Sequence, residues 1–366
     1  MNSRERFLAA LERREVDIIP FNDSFSSMEA AARFLGQTYL QADDLEQAIF
    51  QARLFNADVV NLPTAGFPGG PGIFDQVAYQ GEDHIIAKTP LGGQLYWRKK
   101  PYFALPLSAP ITSEEDLERI EKPDIEKLKP DVRVLAEKVQ KLHELDYFVE
   151  TEIKGPLESV WMYLRGGYAN FLMDIVRKPV FAKRLIELAF KTMLELTELV
   201  IDEAHVDAVW MTDDLGENKA PFISVEKYRD LIKPWHQEAA RTAHRKGAKL
   251  CLHSHGNIML LFEDIVETGP DSIDPLDPAD GMKLAEIKEK YGDRICLMGG
   301  ITKNIGTMSK AELREHVLNV FSNAGPRGYI AMSSGGVPAE MSLENFNYYN
   351  HLVEKTRRLN LNLSVG

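Results

Sequence analysis

Two imidazoles stand two residues apart in Leu250-Cys251-Leu252-His253-Ser254-His255-Gly256-Asn257-Ile258, at the end of an apolar, strand-like run. On a strand, residues i and i+2 share one face. Such a pair can chelate a metal, hold an anionic substrate or relay a proton, because neutral imidazole is both a common metal ligand and an acid or base near neutrality. Spacing alone does not choose among these. The same residues also suit a packed strand end with two hydrogen-bonded histidines.

Polar residues close several other apolar runs: Asn22 and Asp23, Asn61, Glu150 and Glu152, Asp213 and Asp214, Asp274 and Asp277, and Ser333 and Ser334. Carboxylates that converge on two histidines repel one another unless a cation, protons or hydrogen bonds compensate, so the set favours a metal or acid-base site.

The elements that must position these residues read as alternating strands and helices. Strands are expected at 17-22, 58-63, 147-153, 208-213, 249-254, 271-275, 294-299 and 328-333, with amphipathic helices between them such as 179-204 and 225-246. Eight βα units predict an α/β fold, a (β/α)8 TIM barrel in a single domain over 1-366, with a doubly wound open sheet as the runner-up. In the barrel, strand C-terminal ends share one mouth, where the chemistry lies. A helical segment precedes the first strand, and an insertion falls at about 66-133. Within it, 76-100 reads as one or two antiparallel hairpins and 108-133 as a surface connection.

Composition narrows the function classes. With 366 residues, 44% of them hydrophobic, the chain can bury a large core. A net charge of -12 argues against general affinity for nucleic acid or anionic membrane. Cys251 and Cys296 lie in apolar runs and read as buried thiols, which suits a reducing cytoplasm. The charged N-terminal stretch is no signal peptide, and no apolar run is long enough to span a membrane.

Several ordered pieces resemble the framework of the uroporphyrinogen decarboxylase superfamily over nearly the whole chain. They are Asp213-Asp214-Leu215-Gly216, Ile223-Ser224 with Tyr228 and Pro234, His253-Ser254-His255-Gly256-Asn257-Ile258, Gly269-Pro270-Asp271, Gly292-Asp293-Arg294 and Met298-Gly299-Gly300-Ile301. The resemblance implies a (β/α)8 barrel, in agreement with the strand pattern.

That superfamily contains tetrapyrrole decarboxylases and corrinoid-linked methyltransferases. The decarboxylases carry an arginine-rich segment after the first strand, whereas Phe21-Asn22-Asp23-Ser24-Phe25-Ser26-Ser27 has no arginine. A polycarboxylate substrate needs cationic partners, and a site rich in Asp and Glu is electrostatically wrong for it. Their histidine near the last strand aligns here with Gly335. The methyltransferases hold zinc with a His-x-Cys pair and a late cysteine; here the pair is His253-x-His255 and the late position is again Gly335.

The resemblance therefore implies methyl transfer, with His253, His255, Asp213 and Glu152 as catalytic candidates. If Zn2+ is held, His253 and His255 supply two ligands and Glu152, or Asp213, a third, leaving the open position of a catalytic site. Otherwise the same residues bind substrate directly. A corrinoid (cobalamin) would come from a separate corrinoid protein, since no Asp-x-His-x-x-Gly segment occurs in this chain. A small methylated substrate would be the donor. An aromatic methyl ether suits a hard site best; methylamines, methanol and halides stay open. Rival readings are a decarboxylase-like lyase, a non-catalytic subunit binding a corrinoid or small ligand, and a structural partner in a multiprotein methyltransferase system. A homodimer is left open.

Substrate contacts are expected from Asn22, Asp23, Phe25, Trp161, Trp210, Asp214 and Ser334, with Phe21, Phe67, Met162 and Met211 as further candidates for an apolar wall. The glycines at 66, 69, 70 and 72 read as a mobile loop over the site. Gly299-Gly300 reads as a turn rather than a phosphate cradle, and the remaining histidines as solvated or structural.

Overall fold

Strands form where β-branched and apolar residues run together, and the computed structural model, which describes residues 1–41, 43–66, 70–100 and 102–359, contains twelve in its described part. In chain order they are β1 (Phe21–Asn22), β2 (Val59–Pro63), β3 (Gln76–Gln80), β4 (His84–Lys88), β5 (Gln94–Lys99), β6 (Tyr102–Pro106), β7 (Phe148–Lys154), β8 (Ala208–Thr212), β9 (Lys249–His253), β10 (Ser272–Leu276), β11 (Cys296–Ile301) and β12 (Tyr329–Ser333). Eight of them make one parallel sheet in the order β1-β12-β11-β10-β9-β8-β7-β2. Its two ends meet: Asp58 N–H donates to the Phe21 carbonyl at 2.8 Å, and the Asp58 carboxylate accepts from Phe21 N–H at 3.0 Å. The sheet curls into a (β/α)8 TIM barrel, not an open doubly wound sheet.

Asp58 is buried at this seam and also takes the Arg6 guanidinium at 2.6 Å and that of Arg357 at 3.3 Å. The first strand is shorter than the expected 17-22. Pro20 has no N–H to donate to a ladder, though its carbonyl accepts from Ala331 N–H at 2.9 Å.

Alternation along each strand divides the apolar residues into two populations. Val60, Val149, Val209, Leu250 and Leu297 belong to the large core between sheet and helices. Val59, Phe148, Cys251, Cys296, Met298 and Ile330 instead join Phe7, Ala10 and Leu11 of the first helix, Ser3–Leu11. That helix, capped by Asn2 and Glu5, closes the bottom of the barrel. Both cysteines are free and lie in this inner plug, where burial pushes the Cys296 thiol up to about 12.

The insertion forms a four-stranded antiparallel sheet, β3-β4-β5-β6, in keeping with two hairpins, and runs over 76–106 instead of ending at 100. The stretch read as a surface connection contains a short helix, Glu114–Leu117, with a Ser113/Asp116 capping box, and the helix Lys129–Glu144 already begins inside it. No helix among the described residues is long and apolar enough to cross a membrane.

Candidate active site

Parallel pairing places Lys154, Thr212, His253 and Asp274 in one lateral row across β7, β8, β9 and β10. Because residues of one row point the same way, these side chains enter the barrel together near its C-terminal mouth. His253 Nδ1 lies 2.6 Å from Asp274 Oδ1, and the Trp210 indole N–H donates to Asp274 Oδ2 at 2.9 Å. The Trp210 ring stands 4.7 Å from the imidazole, nearly edge to face. Asp274 is thus fully used, and it fixes both the tilt of the His253 ring and the nitrogen left free. That nitrogen, Nε2, is 3.9 Å from Asp214 Oδ1.

Burial works against a charged His253. The neighbouring Asp274 carboxylate outweighs it, with Asp214 and Glu158 adding smaller attractions, so the imidazole is pushed up to about 9. His255 behaves in the opposite way. Its ring is 4.7 Å from that of His253, and burial together with the His253 charge lowers its proton affinity. The pair therefore splits into one protonated and one neutral imidazole at neutral pH.

The loops carrying these groups are laced together. Asp213 N–H donates to the His253 carbonyl, Leu215 N–H to Ser254 Oγ and His255 N–H to Asp214 Oδ1, at 2.9, 2.9 and 2.7 Å. Gly256, at φ +88°, lies so close to Gly216 that a Cβ would come within 2.2 Å of its carbonyl carbon. Only glycine fits there.

Other candidates are already engaged. Asp213 Oδ1 accepts from Leu157 and Glu158 N–H, at the start of the helix Pro156–Tyr163, and Asp213 Oδ2 pairs with His236 Nε2 at 2.9 Å. It holds that helix end in place instead of facing a substrate. Glu152 pairs with the fully buried Lys154, whose ammonium also donates to Thr212 Oγ1 at 3.0 Å. Thr212 Oγ1 in turn donates to Glu158 at 2.7 Å. Asp23 accepts from Ser333 Oγ and Tyr349 O–H, tying β1 to β12 and to the last helix, and burial pushes it up to about 6. Asp277 caps the turn that follows β10.

Phe25 packs among Phe34, Phe55 and Phe346 in the core, and Phe21, Met162 and Met211 are core residues too. Phe67 and Gly69 lie outside the described residues. Asn22 approaches Met298 Sδ at 3.8 Å, and Asn61 reaches Glu150 at 3.5 Å. Burial pushes Glu150 up to about 8, and its Oε2 has no partner among the described residues; nor does the buried Ser334 Oγ. Gly299 and Gly300 are part of β11, paired with β12.

A two-histidine, one-carboxylate zinc site does not fit this arrangement. Glu152 is committed to Lys154 and Asp213 to helix amides and His236, and among the described residues no group of three His, Cys, Asp or Glu is arranged to hold a metal ion. Gly335, at φ +81°, has open space where a side chain would project, and no described residue fills it in place of the late ligand.

Three groups escaped the sequence reading. Lys154 ends an apolar run like any strand-edge lysine, and only the closed barrel buries it. Tyr168 stacks on Trp161 with centroids 4.3 Å apart and reaches Phe222 at 5.2 Å, and its O–H donates to the Asp214 carbonyl at 3.4 Å. These rings come from two helices, Pro156–Tyr163 and Tyr168–Arg177, and from the loop carrying Phe222, with no shared period. Asp274 stood among the strand ends without an assigned role.

Comparison with known proteins agrees with this geometry. A methyltransferase from Methanosarcina mazei superposes with a TM-score of 0.72 at 14% identity, over 97% of this chain and 99% of that one. A B12-independent methionine synthase from Shewanella sp. W3-18-1 aligns over 88% of this chain and 87% of its own, at 12% identity and a TM-score of 0.49. No curated protein sequence matches the chain. The family model described as Uroporphyrinogen decarboxylase (URO-D) matches residues 91–356, across β5 to the last helix and every mouth residue from Glu150 onward, so the chain belongs to that family.

Proposed function

We propose that this protein moves a methyl group from a small methylated donor, best an aromatic methyl ether, to the cobalt of a corrinoid carried by a separate protein. The observation that carries this reading is the placement of His253, with Nδ1 2.6 Å from Asp274 Oδ1 and Nε2 3.9 Å from Asp214 Oδ1. As the methyl carbon leaves oxygen for cob(I)alamin, the C–O bond breaks and negative charge develops on the oxygen. The His253 Nε2 proton passes to that oxygen and the product is a neutral phenol. His253, left neutral, takes one proton back from solvent in each turnover, with the His255 ring 4.7 Å away placed to relay it.

Trp210 beside His253, and Trp161, Tyr168 and Phe222 beside Asp214, supply flat apolar surface for an aryl ring. The absence of arginine from Phe21–Ser27 and the carboxylates at the mouth speak against a porphyrinogen polycarboxylate. The fold shared with a Methanosarcina methyltransferase agrees with methyl transfer. The test is a screen of methyl donors against cob(I)alamin with wild type and His253→Ala. Methylcobalamin formation that drops at least ~100-fold in the variant supports the reading. No methylation from any donor overturns it.

A further inference from the structure

The inserted sheet carries a surface that the barrel chemistry does not use. Its inner face, with Ile85, Ala87, Leu95 and Trp97, is buried in the main core, and β5 and β6 lean on the helix Pro156–Tyr163. Its outer face presents one ring per strand: Tyr79, His84, Tyr96 and Phe103, with successive centroids 4.8, 5.2 and 5.7 Å apart. Arg98 lies over the Phe103 ring at 5.6 Å. Tyr79 is 50% exposed and Leu105 36%. A band of rings, exposed at Tyr79 and Phe103 and half-buried at His84 and Tyr96, with an arginine beside it has the composition of an interaction surface, since aromatic residues and arginine are enriched there.

Charge selects the partner. Residues 76–106 carry Lys88, Arg98, Lys99 and Lys100 against Glu82 and Asp83, whereas the whole chain has a net charge of -12. A second copy docked about a two-fold axis would bring two such positive islands together, and nucleic acid would meet the strongly negative remainder of the chain. A protein whose acidic face is no wider than the sheet meets the island without covering the negative remainder, which a long polyanion must cross. The sheet also branches from the end of β2 and packs on the helix that follows β7, so it stands beside the barrel mouth.

We propose that the outer face of β3-β6 is the docking surface for an acidic protein partner, which is the corrinoid carrier. The partner's identity rests on the methyl-transfer reading above. Docking there would bring the carrier alongside the mouth where the methyl group is released.

The test compares two acceptors, free cob(I)alamin and a purified corrinoid carrier protein reconstituted with cobalamin and reduced, using wild type, Tyr79→Ala and Arg98→Glu. Free cob(I)alamin needs no docking. The expected result is methylation of free cob(I)alamin within two-fold of wild type for both variants. With the carrier, kcat/KM falls at least ten-fold, and Arg98→Glu loses the salt sensitivity of the wild type. Equal carrier-dependent rates in all three proteins overturn the proposal. So does a change in the sedimentation of the enzyme alone, which marks a contact between copies, or loss in the variants of wild-type binding to a single-stranded oligonucleotide. Failure of the wild type to methylate free cob(I)alamin from any donor overturns the methyl-transfer reading itself and the partner with it.

Discussion

Asp274 Oδ1 lies 2.6 Å from Nδ1 of His253, with the aspartate fully buried and the imidazole nearly so, and the second Asp274 oxygen is held by the Trp210 indole. A buried carboxylate so placed does two things: it fixes the imidazole ring and it keeps the proton on it. Both are properties of a general acid directed at one atom.

Replacement of Asp274 by Asn keeps the shape and removes the charge. His253 is raised to about 9 in the wild type, so its acid form persists up to that pH and is lost above it. Without Asp274, burial dominates and the acid limb moves down. The expected outcome is a kcat/KM reduced about 10²- to 10⁴-fold at pH 8 and less at pH 6. A pH profile shows it; an unmoved acid limb contradicts the role given to Asp274.

Five buried carboxyl groups are shifted upward by burial: Asp23 to about 6, Asp75 to about 7, Glu150 and Glu158 to about 8, and Glu152 in the same direction. A raised folded-state value means the native state binds protons more tightly than the unfolded chain. The stability this confers is fully present below the ordinary carboxylate range and is lost as pH rises through the folded values, at roughly 1.4 kcal/mol per unit and group. Asp17, lowered to about 2 by Arg6 and the N-terminal ammonium against the opposing effect of burial, works the other way and matters only in acid. Urea midpoints are therefore expected to be higher at pH 5.5 than at pH 8.5, and the reverse order would count against these burials.

Lys154 and Glu152 are both buried and paired. Lys154→Met leaves the carboxylate unmatched and is expected to cost about 3–5 kcal/mol, whereas pairing it with Glu152→Leu recovers much of the loss. Denaturant titration of the single and double variants measures this. A double variant as unstable as the single one would show that the pair is not coupled.

Gly256→Ala places a methyl group against the Gly216 backbone at φ +88°. Strain of about 1–3 kcal/mol is expected, together with separation of the loops that carry Asp214 and His255. Thermal unfolding detects the first effect and donor affinity the second. An alanine variant with wild-type stability and affinity would mean that the two loops move independently.

Much of the framework was legible in the chain itself. Runs such as Lys249–His253 and Cys296–Ile301 carry their own strand signal, and Pro179–Ala204 is helical over its expected length. The strand-end rule brought His253 and Asp214 to one mouth. It could not say that Asp274, twenty-one residues later, would bond to His253, because that depends on the register of β9 against β10. Nor could it tell Asp213, turned toward His236 and a helix end, from its neighbour Asp214. Alternation gives the face of a strand, but past the strand end the loop geometry decides. Asp58 posed the same difficulty, since its role appears only where β1 meets β2.

The central claim is proton donation by His253 to a departing oxygen, and the most direct measurement is the dependence of the methylation rate on leaving-group acidity. A series of aryl methyl ethers whose phenols differ in pKa is reacted with cob(I)alamin in wild type and in His253→Ala. With an acid in place, charge on the oxygen is neutralised as it forms, so the wild-type rate is expected to vary weakly with phenol pKa. The dependence should steepen clearly in His253→Ala. The same steep slope in both proteins, or no loss of rate in the variant, would contradict the account.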